Sequence, residues 1–169
     1  MGSRAMNLLS DIEAKRHMTV LQKLHRRDVD ANTNYIGVYP LNLAVELVDP
    51  NAVALLLQYG ADPLRKPNPV KGASLPPADA LELARRLVDD PKTAKDPAKL
   101  AAAKMIVLML NDPKVAKATF EELEARLLET NAREVQAMRR LFLGFFAVGA
   151  VALAAYYMFF QNLSTTQEL

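Results

Sequence analysis

Gly37-Val-Tyr-Pro-Leu-Asn-Leu-Ala-Val-Glu-Leu-Val-Asp-Pro-Asn-Ala-Val-Ala-Leu-Leu-Leu-Gln-Tyr-Gly-Ala-Asp-Pro63 decides the fold. Pro40 suits the first position of a helix, where its missing N–H costs nothing, and Leu41 and Ala44 then share an inward face. Ala44 is small enough to let a paired helix approach. Asp49-Pro50 opens a second helix, with Asp49 as acceptor for the free N–H groups and Pro50 at the first turn. Val53, Leu56 and Leu57 form its inward stripe. Gly60 is placed to take the left-handed conformation that ends a helix, and Pro63 prevents its resumption. The segment therefore predicts a short helical hairpin.

The same punctuation recurs outward. All ten prolines lie between Pro40 and Pro113, and five follow aspartate, at positions 50, 63, 91, 97 and 113. Pro97 reads as a further helix opener. No run sustains period-2 alternation, so the predicted class is all-α with short helices joined by tight turns.

The residues Gly37, Pro40, Leu41, Ala44, Leu56, Leu57, Gly60, Ala61 and Asp62 match the pattern Gly-x-Thr-Pro-Leu-His-x-Ala-Ala with its closing Leu-Leu-x-x-Gly-Ala-Asp. This segment resembles one ankyrin repeat, with Tyr39, Asn42 and Val45 departing from the pattern. Val20 to Asn32 resembles the second half of a preceding repeat, about 32 residues out of phase. Ala78 to Leu87 resembles a third opening helix and Lys99 to Leu110 its partner, with the insertion Pro91 to Lys99 between them. The other reading of this pattern is a helical-hairpin array of no particular family. The resemblance implies protein binding through loop tips and the inner face of the first helix, which here are Tyr35, Ile36 and Val38, then Leu43, Glu46 and Leu47. An apolar tip also fits packing under the neighbouring half-repeat.

Residues 1–118 thus form the expected ankyrin-like helical repeat domain. Thr119 and Glu122 read as a capping box opening a juxtamembrane amphipathic helix over 119–140. Phe120, Leu123, Leu127, Leu128, Val135 and Met138 make its seam, which either packs on its own domain or meets a partner helix. This helix leads into Leu141 to Phe160, twenty residues without a charge. At about 1.5 Å per residue that run covers about 30 Å, the thickness of a hydrocarbon core, and predicts a single C-terminal transmembrane helix. Residues 161–169 are a short polar tail. Gly144, Ala147, Ala150, Val151 and Ala154 form a small-residue face, the candidate for helix contact within the span.

Charge supports a topology. Residues 1–27 carry six basic side chains against two acidic ones, 28–118 balance at eleven each, and 119–140 hold four against five. With the basic residues N-terminal to the run, the positive-inside rule keeps residues 1–140 on the cytosolic or matrix side. No apolar signal region lies near Met1, and Met6 stands where a myristoylation motif needs Ser or Thr.

Chemistry is sparse. The chain has no cysteine and two histidines, His17 and His25, whose spacing is not that of metal ligands. The two read as exposed surface side chains. No glycine-rich phosphate loop and no paired carboxylates appear. The expectation is a non-enzyme with no cofactor, no metal, no nucleic-acid partner and no small-molecule substrate. Its expected partners are the lipid bilayer and other protein subunits, as an accessory or scaffold subunit of a mitochondrial inner-membrane complex, respiratory or ATP synthase. The alternative is a tail-anchored adaptor recruiting a soluble partner to the outer mitochondrial or endoplasmic reticulum membrane.

Overall fold

The computed structural model describes the backbone of residues 2–67 and 77–165 and the side chains of 7–67, 77–140 and 142. Within these residues the chain is all-helical: α1 (Gly2–Glu13), α2 (His17–His25), α3 (Pro40–Glu46), α4 (Pro50–Gln58), α5 (Ala80–Asp89), α6 (Pro91–Ala94), α7 (Pro97–Asn111) and α8 (Pro113–Thr165). No strand forms among them, and one isolated antiparallel bridge joins Tyr35 to Val38. Two compact units result, Met1–Leu127 and Leu128–Leu169.

In the first unit, α1 and α2, α3 and α4, and α5 and α7 pair as three hairpins. The first helices lie in one row, with α3 between α1 and α5; the second helices lie in another, with α4 between α2 and α7. The central hairpin contributes most of the core. Leu41, Ala44, Val45 and every residue from Ala52 to Leu56 are buried there. Leu8 and Ile12 of α1, Val20 and Leu24 of α2, Ala80 and Ala84 of α5, and Ile106 and Met109 of α7 pack against it. Ala116, Phe120 and Leu123 of α8 complete the cluster.

Aspartate sets the helix starts. Asp49 accepts from the N–H groups of Asn51 and Ala52, Asp96 from Ala98 and Lys99, and Asp79 from Glu82. Asp62 accepts from Leu64 N–H at 3.0 Å, where Pro63 opens a turn rather than a helix. Asp112 and Pro113 start α8, the Asp112 carboxylate accepting from Lys114 N–H at 2.9 Å. Thr119 therefore lies inside α8 and is not a cap. Its hydroxyl donates to the Val115 carbonyl one turn back, at 2.9 Å.

The first two hairpins repeat bond for bond. Ala14, Lys15 and Arg16 donate to Ser10, Ile12 and Asp11; Leu47, Val48 and Asp49, each thirty-three positions on, donate to Leu43, Val45 and Ala44. The second helices end alike. Arg26, Arg27 and Asp28 donate to Gln22, Leu24 and Lys23, and Tyr59, Gly60 and Ala61, again thirty-three positions on, donate to Leu55, Leu57 and Leu56. Lys15, Arg27, Val48 and Gly60 each sit at positive φ, at 53, 56, 50 and 82°.

The membrane expectation is overturned. Among the described residues no helix is long and apolar enough to cross a membrane. The single-pass, tail-anchored protein of the mitochondrial inner membrane, with a bilayer as partner, is corrected accordingly. From Lys114 to Arg140, the part of α8 whose side chains are described, charged side chains recur within every two turns, too densely for a hydrocarbon core. The run 141–160 is helical backbone within α8, and apart from Phe142 its side chains lie outside the described residues. Gly144, Ala147, Ala150, Val151 and Ala154 belong to that part.

Candidate functional site

The connection from the first hairpin to the second ends in a tight β-turn. Tyr35 and Val38 exchange both backbone hydrogen bonds, each at 3.0 Å. Between them Ile36 and Gly37 have φ of 51 and 84°, two consecutive left-handed residues of the kind that close a two-residue hairpin. The Asn34 side chain accepts from Gly37 N–H at 2.8 Å and fixes the entry. Gly37 adopts its conformation freely. Ile36, with a branched Cβ, does so at a cost of about 1–2 kcal/mol. It is also 83% exposed, and Val38 is 38% exposed. Tyr35 is half-buried. The tip therefore holds an apolar side chain in water in an unfavourable backbone conformation.

The structure brings Tyr35, Ile36 and Val38 together at that turn. Leu43 and Glu46 stand further along, on α3, and Leu47 is the residue that ends it. Leu43 and Leu47 are half-buried and rest against the core. Glu46 is exposed, yet partial burial of its carboxyl raises its pKa above the ordinary carboxylate value. Two neighbours escaped the sequence reading: the Arg65 guanidinium lies over the Tyr39 ring at 5.8 Å, and Leu64 beside it is exposed. The Arg65–Tyr39 contact ties the base of the tip to the loop after α4. The Asp62-Pro63 turn was the available signal.

Polar side chains pin hairpin to hairpin. Asn32 donates to the Gly60 carbonyl and accepts from Asp62 N–H, both at 2.8 Å. Buried Asn42 donates to the Ala78 carbonyl at 3.2 Å, and its own side-chain oxygen has no hydrogen-bond partner among the described residues. His17, expected at the surface, is mostly buried, its Nε2 2.7 Å from an Asp49 carboxylate oxygen. Asp11, also buried, pairs with Arg16 at 2.7 Å and with Lys23. His25 Nδ1 lies 3.3 Å from the Tyr59 hydroxyl, and the Tyr59 ring meets Phe120 edge-on, centroids 6.2 Å apart. Burial, with the Glu124 charge, raises the Tyr59 pKa. Asn32→Ala removes both inter-hairpin bonds and should cost about 1–2 kcal/mol, read as a lower thermal midpoint with an unchanged helical spectrum.

Concavities open elsewhere on the described surface. One, about 560 Å³, is lined by both polar and apolar residues, among them Arg27, Asp30, Gln58 and Tyr59. Another, about 440 Å³, is a more apolar groove between α5 and α7, floored by Val88, Val107 and Leu108. Among the described residues no cluster of three His, Asp or Glu side chains could hold a metal ion. No protein-family model matches the chain, and no curated protein or solved structure matches it.

Proposed function

We propose that this chain is a non-catalytic scaffold subunit, an ankyrin-like hairpin stack that binds neighbouring proteins in a larger assembly through the Tyr35–Val38 tip. The observation that carries this reading is Ile36. A strained, exposed isoleucine is unfavourable twice over for the isolated chain, and local strain of this kind tends to persist at functional sites. Covering its side chain would bury apolar surface worth about 25 cal/mol per Å². The thirty-three-residue recurrence of turn hydrogen bonds supports the ankyrin-like part, since ankyrin repeats have that period. The Asn42 bond to Ala78 adds to it, standing where the family pattern has His.

Ile36→Asn tests the proposal because asparagine tolerates left-handed backbone. The variant should gain up to about 1 kcal/mol in stability while losing its companions. Native electrophoresis of extracts from source cells, with mass spectrometry of co-migrating proteins, reads the second effect. A variant that keeps the same companions at the same stoichiometry would sink the role of the tip. A wild-type chain that migrates alone would sink the subunit reading.

A further inference from the structure

The second unit carries a face with no partner among the described residues. Leu128, Val135, Met138 and Phe142 are 52–65% exposed. With Leu128 as the first position of a heptad, Val135 and Phe142 repeat it, and Asn131 and Met138 occupy the fourth. This is the spacing of a coiled-coil seam. The flanking charges then fall into place. Glu134 takes the seventh position and Arg139 the fifth of the next heptad. These positions face each other across a parallel, in-register helix pair, giving two Glu134–Arg139 contacts by symmetry. In an antiparallel pair centred on the same residues, Glu134 would meet Glu134 and Arg139 would meet Arg139, so the charges select the parallel arrangement. Neither residue has an ion pair among the described residues, whereas Arg133 and Glu129, on the outer face, pair with each other at 2.6 Å.

We propose that residues 128–142 of α8 pair with the same residues of a second copy of this chain as a short, parallel, two-stranded coiled coil. Branched Val135 at a first position suits two strands, and Asn131 at a fourth position lowers the stability of the pair. Two heptads make a weak dimer, so association depends on concentration. This surface is separate from the tip, and its failure would leave the proposed scaffold role standing.

Sedimentation equilibrium of the full chain over a concentration series, at low and high salt, is the test, with Glu134→Arg, Arg139→Glu and the double reversal alongside. Both sites are exposed, and circular dichroism should show the same helix content in all four chains. The expected result is a wild-type dimer, each single reversal weakening it roughly tenfold, equivalent to about 1.4 kcal/mol. The double reversal restores it, and a mixture of the two single variants associates better than either alone. A wild-type chain that stays monomeric, or association indifferent to the reversals, would overturn the proposal.

Discussion

Leu56→Ala should cost about 2–5 kcal/mol of folding stability, the largest effect expected of any single substitution here. Leu56 is fully buried in α4, the middle helix of its row, with Leu55 and Val53 beside it. Truncation removes transfer free energy and leaves a cavity that neighbouring side chains cannot refill. Domains of this size are stable by about 5–15 kcal/mol, so the loss takes much of the margin. The position amplifies it. In a stack, each hairpin buries its face on its neighbours, and loosening the central one exposes the other two. Urea unfolding monitored by circular dichroism gives the number. Leu64→Ala, an exposed leucine eight positions on, serves as control and should shift stability by less than about 0.5 kcal/mol. Equal losses in the two variants would contradict the assigned core.

Asp49→Ala is expected to follow, at about 2–4 kcal/mol, from a lost helix cap and a lost charge-assisted hydrogen bond. Burial alone would raise the Asp49 pKa. The hydrogen bond and charge of His17, the N–H of Ala52 and the charge of Lys15 outweigh it, so the pKa lies below the ordinary value. The sign follows. A carboxylate with a depressed folded pKa contributes stability that is present above its unfolded value, near 3.9, and is lost as pH falls through the folded pKa. Asp49→Asn separates the two contributions, because asparagine still caps but carries no charge. Its stability should fall less steeply below about pH 4 than that of the wild type. Parallel acid limbs in the two chains would show that the Asp49 charge does not stabilise the fold.

The central hairpin was legible because its boundaries are local chemistry. Pro40, Asp49-Pro50 and Gly60 each act within one turn of the backbone, and Leu41, Ala44, Val53 and Leu56 follow helical spacing. The first hairpin was half missed, since α1 has no proline or capping aspartate and the helix it packs on, α3, lies a repeat away. The start of α8 was misread for a related reason: Thr119 and Glu122 have the spacing of a cap, but Asp112-Pro113 begins the helix earlier and leaves the threonine to bond back to Val115. His17 eluded sequence reading altogether, because Asp49 is thirty-two positions distant and only the stacking brings them together. At the candidate surface, the apolar tip was visible as residues, but not the backbone strain at Ile36. That strain depends on the bridge between Tyr35 and Val38, a pairing that periodicity does not reveal.

The four joints that close the first two hairpins also bear on how the chain is made. Gly60 enters its left-handed conformation without penalty, while Lys15, Arg27 and Val48 must be held there by their surroundings, each against about 1 kcal/mol. A newly made first hairpin, emerging with Lys15 and Arg27 at its bends, lacks the neighbour whose Asp49 engages His17 and whose Gly60 and Asp62 engage Asn32. The first hairpin by itself should therefore be less stable than the same hairpin in the stack, and a fragment ending before Pro63 is expected to show less helix by circular dichroism than its share of the full chain.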